Sequence, residues 1–305
     1  MNTGNLSTEA LHFARQVLSN QVAHFAPGIY TRLTRRTGRG DAVTEPLQVV
    51  YYFLECFRDY QEQLDLPGDA VADYLQGKKI LEYGPGDTLC MALLFYAHGA
   101  GQVDCVDRFP LSRLTANNIG AYYHLLNTLP AGPRERAQSA FKHKNLVSSG
   151  FDPAAIAYRV TPDGLAGNGG SYDLILSRAV LEHVNDLEET MRDIKRNLKP
   201  GGLSIHKVDL KSHGLDRHAD FDFLTRRPLV YRLMYSHKGC PNRWRVNKYR
   251  ELAEKVGLRL KTLTPTGRLA ADKVEHIYPE AARHFGNISP EEFSWLGFWM
   301  TLEHA

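Results

Sequence analysis

The segment Ile80-Leu81-Glu82-Tyr83-Gly84-Pro85-Gly86-Asp87-Thr88 brings an acid and two glycines together between an apolar run and the next apolar stretch, Leu89–Ala97. Glycines let a backbone approach a ligand closely, and amides at a helix start offer donors to a carboxylate. A dinucleotide fingerprint would need a third glycine at position 89, which is Leu89, so nicotinamide binding is disfavoured. Asp107 ends Val103-Asp104-Cys105-Val106-Asp107, 107 − 82 = 25 positions after Glu82. A carboxylate at such a strand tip can accept both hydroxyls of a ribose; the alternative is a solvated aspartate before a loop. Further along, His206, Asp209 and His213 combine imidazoles that can take a proton with a carboxylate that can orient one of them. Glu182-His183 is a second acid–imidazole pair, for which a structural role is the default. Between Arg226 and Arg250 stand eight Arg or Lys and no Asp or Glu, interleaved with Tyr231, Tyr235, Trp244 and Tyr249. That pattern suits an anionic or aromatic-faced ligand, or else a solvated basic face.

These groups need elements to aim them. Residues 1–77 read as helices, since Leu11, Val17, Leu18, Val22, Val49, Tyr52, Phe53, Phe57 and Leu64 recur near a 3.6 period. They form either a cap or lid, or an extension that only buries a sheet edge. From Lys78 short apolar runs alternate with helices, the pattern of a parallel sheet. The expected strands are Lys79–Glu82, Gln102–Asp107, Ile156–Val160, Tyr172–Ser177, Gly202–Val208, Leu258–Leu263 and Gly297–Leu302. Helices are expected over Leu89–Ala97, Leu187–Leu198 and Val246–Val256. The fold class is therefore α/β: a doubly wound, seven-stranded, mostly parallel sheet, with an N-terminal helical extension (1–77) before the main domain (78–305). Residues 211–250 are an insertion between strands five and six, near any ligand bound at the carboxyl ends of the strands.

In this order, the E-x-G-x-G loop, the Asp107 strand, the segment Tyr172–Val184 and the turn Leu198-Lys199-Pro200-Gly201-Gly202 resemble the successive motifs of class I S-adenosylmethionine (SAM)-dependent methyltransferases. The resemblance covers about residues 78–210. It implies SAM as cofactor, with Glu82, Gly84 and Gly86 at its methionine end and Asp107 on the ribose. Arg108, with Phe109, would cover the adenine face, and Asp163 and Gly164, in the looser match Thr161–Leu165, would contact the adenine. Ser177, in the fourth-strand segment, is counted with the cofactor-binding residues.

Methyl transfer from a sulfonium is an in-line displacement, so alignment and exclusion of water supply much of the catalysis. A hydroxyl acceptor also needs a base. His206 is the first candidate, with His213 as a substitute, Asp209 as orienter and His183 nearby. On that reading His206→Ala would lower turnover by ~10²–10⁴-fold. Metal-dependent relatives, the ubiquinone-biosynthesis O-methyltransferases and plant small-RNA 2′-O-methyltransferases, carry E-x-x-E-H here. In this chain the first acid is replaced by Ala179. No metal ligand is therefore assigned, although Glu182, His183 and His206 would make a different site. The reading is O-methylation of a small, anionic or sugar-type metabolite in biosynthesis. An RNA methyltransferase or a non-catalytic SAM-fold partner subunit are the alternatives.

Composition narrows the classes without choosing among them. With 43% hydrophobic and 23% charged residues, the chain can bury a full core. Its net charge of +3 is too small to argue for nucleic acid. Four cysteines without a C-x-x-C pair suggest neither zinc nor a disulfide framework. Met1 to Ala10 lacks the basic and apolar blocks of a secretory signal, and no apolar stretch approaches ~18–20 residues. A cytoplasmic protein with no membrane partner is expected; oligomeric state is unreadable.

Overall fold

The computed structural model describes residues 3–34, 45–67, 70–167, 171–217 and 220–305. The basic glycine-containing segment Thr31–Asp41 lies mostly outside them. Helices α1 (Thr3–Phe25) and α2 (Pro27–Thr34) lead into α3 (Pro46–Gln63), whose Val49, Val50, Phe53, Cys56, Phe57 and Tyr60 are buried at helical spacing. After the short α4 (Val71–Leu75) come β1 (Lys79–Tyr83), α5 (Cys90–Ala97) and β2 (Gln102–Asp107). Nearly every residue of α5 is buried, because it is sandwiched between the sheet and the helices around it. Helices α6 (Ala116–Thr128) and α7 (Ala131–Ser139) then precede β3 (Ile156–Val160) and β4 (Tyr172–Arg178). Helix α8 (Leu187–Asn197) is capped by Asp186, whose side chain accepts the Glu189 N–H, and buries Leu187, Met191 and Ile194. The chain continues through β5 (Leu198–Asp209), α9 (Pro228–Tyr235), α10 (Val246–Lys255), β6 (Leu258–Arg268), α11 (Ala271–Ala281), α12 (Pro290–Phe293) and β7 (Trp295–His304).

The seven strands form one sheet in the order β3-β2-β1-β4-β5-β7-β6. Strands β1 to β5 are parallel to their neighbours, and β7 runs antiparallel to both β5 and β6. All seven expected strands are present, and the expected mixed character comes from β7 alone. The Lys199–Gly202 turn is not a break: it is an irregularity inside β5, where the register with β4 shifts between Tyr172 and Leu174. The order reverses between β1 and β4, leaving a crevice beyond their carboxyl ends, which is where open α/β sheets bind ligands.

The first 77 residues do not act as one unit. Helix α3 packs into the core against α5 and α6, on one face of the sheet. Helix α1 instead reaches the insertion and packs on α9: Asn20 Nδ2 donates to the Leu233 carbonyl at 3.0 Å, and Asn20 Oδ1 accepts the His237 N–H at 2.8 Å. Among the described residues no helix is long and apolar enough to cross a membrane.

Candidate active site

The glycine loop leaves β1 in a conformation only glycine takes easily. Gly84 has φ +63° and Gly86 φ +79°. A Cβ on Gly84 would stand 2.5 Å from Val180 Cγ2, across the crevice between β1 and β4. The missing side chain at Gly84 therefore lets Val180 pack directly on the loop backbone. The Leu89 N–H at the start of α5 is already taken by the Tyr122 hydroxyl at 3.0 Å.

Two buried carboxylates flank this loop. Glu82 is 9% exposed and Asp107 7%. Burial raises the Glu82 carboxyl to about 8, opposed by the Cys105 thiol, which donates to Glu82 Oε2 at 3.6 Å, and assisted by the charge of Asp107. Burial likewise lifts Asp107 to about 6, against hydrogen bonds from the backbone of Phe109, Arg108 and Gly86. Among the described residues neither acid has an ion-pair partner. Carboxylates so placed are costly in the empty chain, and a ligand with an ammonium group and vicinal hydroxyls would satisfy both. Glu82, Gly84, Gly86 and Asp107 therefore fit SAM.

Arg108 and Asp163 both line a cavity of about 430 Å³, and Gly164 turns at φ +75° behind Arg108. Burial lowers the Arg108 guanidinium from its ordinary value, and the Asp163 charge partly restores it. The far wall of the cavity was not legible in the sequence. It consists of Ala23 and His24 from α1, Pro27 from α2, and His237 beyond α9. The His24 and His237 rings lie 4.1 Å apart between centroids. Val184, Asn185 and Asp186 complete the rim before α8.

His206 and Ser177 do not stand where the sequence reading put them. His206 is fully buried in β5; its Nδ1 lies 2.7 Å from Ser177 Oγ and its Nε2 2.5 Å from Ser204 Oγ. Burial depresses its pKa to about 3. With both nitrogens engaged and no solvent path, it is a structural histidine of the sheet. Ser177, also fully buried, spends its hydroxyl on that imidazole, so its side chain is withdrawn from the cofactor. Strand alternation explains the error: β5 reaches the correct end of the sheet, but position 206 points into the packed interior.

The other candidates gather beyond the strand ends. Glu182, His183 and His213 offer one ligand atom each within 4.8 Å of one another. The His183 and His213 rings meet edge to face at 4.9 Å. Asp209 Oδ2 is 3.9 Å from His213 Nε2, so its orienting place is shared with His213 and not with His206. Glu182 is 1% exposed; its Oε1 accepts the Asp209 N–H at 3.1 Å, and its buried Oε2 accepts no hydrogen bond. Burial, and less strongly Asp209, hold this carboxyl well above the usual carboxylate range.

Two further side chains hold these parts in place and escaped the sequence reading. Asn242 in the insertion donates to the Leu181 carbonyl at 2.7 Å and to that of Val184 at 3.2 Å, which pins the Glu182-His183 turn. Asp193 on α8 accepts from the Tyr83 hydroxyl at 2.6 Å and from the Ala166 and Gly167 N–H groups at 2.7 and 3.0 Å. A fully buried acid between Met191 and Ile194 on the apolar face of a helix was the available signal.

At least five of the eight basic residues are engaged within the fold, among them Lys238, which is buried and donates to Gln16 Oε1. Arg245, 1% exposed, donates to the carbonyls of Leu210, Phe293 and Trp295, and burial lowers its pKa to about 9. Arg243 donates to the Arg226 carbonyl at 2.6 Å and lies over the Tyr231 ring. Lys248 pairs with Glu251, and Arg250 with Glu292.

A family model described as a methyltransferase domain matches residues 56–263. The chain belongs to that methyltransferase family, and its cofactor is SAM. No curated protein sequence matches it. Solved structures of similar fold include a SAM-dependent methyltransferase from Mesorhizobium loti, 16% identical over 77% of this chain and 98% of that one, with TM-score 0.43. Another is the mitomycin 7-O-methyltransferase MmcR, 15% identical over 77% of this chain and 51% of its own, TM-score 0.40. A third, geranyl diphosphate C-methyltransferase from Streptomyces coelicolor A3(2), is 12% identical over 78% and 77%, TM-score 0.42.

Proposed function

We propose that this enzyme methylates an oxygen of a small acceptor, and that the histidine cluster beyond β4 and β5 supplies the base. The observation that carries this reading is the meeting of His183, His213 and Asp209 next to the Val184–Asp186 rim of the cavity. SAM, when bound, supplies an electrophilic methyl group. Glu82 and Asp107 hold its two polar ends, the bare backbone at Gly84 and Gly86 admits it, and Arg108, Asp163 and Gly164 border the end next to the cavity. Helix α1 and His237 roof the cavity and exclude water. His213, oriented by Asp209, or His183 beside it, takes the acceptor proton as the bond to carbon forms.

A second reading has its own support. The ligand atoms of Glu182, His183 and His213 lie close enough for one divalent cation, and among the described residues the buried Glu182 Oε2 has no hydrogen-bond partner. Such an ion would take the acceptor oxygen, and the two imidazoles would be ligands in place of bases. The acceptor is read as a small metabolite, anionic or sugar-like, in biosynthesis; with Arg243, Arg245, Lys248 and Arg250 engaged internally, fewer cations remain for an RNA backbone.

The deciding experiment incubates metabolite extracts with methyl-labelled SAM, with and without chelator. Label in an ether or ester that survives chelation and is lost in His213→Ala supports the base. Loss on chelation with recovery on adding Mg²⁺ moves the cluster to the metal reading, and label on carbon or nitrogen overturns O-methylation. Asp107→Ala should weaken SAM binding by calorimetry at least tenfold; unchanged affinity would remove the ribose assignment.

A further inference from the structure

We infer that the outer face of α1, α2 and α9 docks the protein on an anionic lipid surface. The inner side of this layer roofs the cavity through Ala23, His24, Pro27 and His237. Its outer side is apolar, and among the described residues no element covers it. Leu18 is 68% exposed, Phe25 78%, Leu33 74% and Leu229 69%. Leu11, Leu18, Val22 and Phe25 fall on one face of α1, and Leu229, Val230 and Leu233 are exposed on α9, which packs on α1 through Asn20.

From Ala10 onwards the charge carried by α1, α2 and α9 has one sign; Glu9, just before, is paired with Arg217. Arg15, Arg32, Arg227 and Arg232 are exposed among them. No Asp or Glu occurs between Ala10 and Gly40 or between Arg226 and Arg250. Apolar anchors with a basic, acid-free surround are the composition of a helix layer that lies in a headgroup region.

This chemistry fits a bilayer better than the other occupants. A second copy meeting the same face by two-fold symmetry would set arginines against arginines with no acid to pair them. A partner protein offering an acidic helix would need a groove, whereas these side chains protrude. The proposal concerns surface binding and not a span, and it revises the expectation that no membrane is involved.

Sedimentation of the full chain with vesicles tests it, comparing phosphatidylcholine alone with phosphatidylcholine containing phosphatidylglycerol. Binding is expected only to the anionic vesicles, and should weaken as salt rises. Arg15→Gln and Arg232→Gln should each lower the partition coefficient by about five-fold, whereas Arg232→Lys should retain it. Leu18→Asp with Leu229→Asp should abolish binding with an unchanged thermal melt, since both side chains are exposed. Three outcomes would overturn the proposal: no binding to either vesicle, equal binding to both, or a dimer by light scattering that Leu229→Asp dissolves while vesicle binding is absent.

Discussion

Glu82 and His206 are both buried ionisable groups, and their linkage to stability has opposite signs. Glu82 has a folded pKa of about 8, above its ordinary 4.5, so the folded chain keeps a proton that the unfolded chain has released. Its contribution is intact below about pH 4.5 and is lost as pH rises through 8. Glu82→Gln should therefore melt higher than the wild type above pH 8 while binding SAM more weakly. Equal melting curves at alkaline pH, followed by differential scanning fluorimetry, would remove the buried charge from the account. His206 is neutral in the fold, with a pKa of about 3 against an ordinary 6.5. Its contribution is intact above pH 6.5 and fades as pH falls towards 3. His206→Ala leaves two buried hydroxyls unpaired and a gap in the sheet packing. Denaturant titration should register a loss of ~2–4 kcal/mol, with SAM affinity nearly unchanged. Unchanged stability together with lost turnover would restore His206 to the mechanism.

At the scale of elements, the site depends on contacts between segments far apart in sequence. Asp193 on α8 gathers the Tyr83 hydroxyl at the end of β1 and the Ala166–Gly167 backbone after β3. It thereby ties the loop after β3 to the glycine-loop strand. Asp193→Ala should cost ~3–5 kcal/mol, since it strands several buried donors, while Arg196 keeps its pairing with Glu189. Hydrogen exchange should rise over residues 161–167, and SAM affinity should fall with it. Exchange that stays slow there would mean that the loop is held by something else. Helix α1 depends in the same way on Asn20, which bridges it to α9.

For the whole molecule, sheet order decides where the parts meet. Because β1 lies between β2 and β4, the loop after β1, the acid ending β2 and the turn after β4 converge on one crevice. Helix α1, from the far end of the chain, and His237, from the insertion, then close the cavity beside it. A ligand bound there couples all of these to folding. SAM at one hundred times its Kd should stabilise the chain by ~2.7 kcal/mol, read as a rise in melting temperature. A nicotinamide dinucleotide should give none, since Leu89 stands where the third glycine would be.

The strands, the cofactor loop and Asp107 were legible in the sequence because each is local: apolar period, glycine chemistry and a strand-terminal acid leave their marks within a few residues. So were α5, α8 and α10. Helices α6, α7, α9 and α11 were not among the expected elements, and the insertion read as irregular. The direction in which a side chain points at a strand end is not local. One residue of register separates Lys207, which reaches Asp59 on α3, from His206, closed between Ser177 and Ser204. That choice belongs to the packing of β4, β5 and β7 around it. Equally, no spacing rule joins His183 to His213, or α1 to α9. Those contacts arise when chain segments from 30 to 217 residues apart are brought together, at an entropic cost that only the buried core offsets.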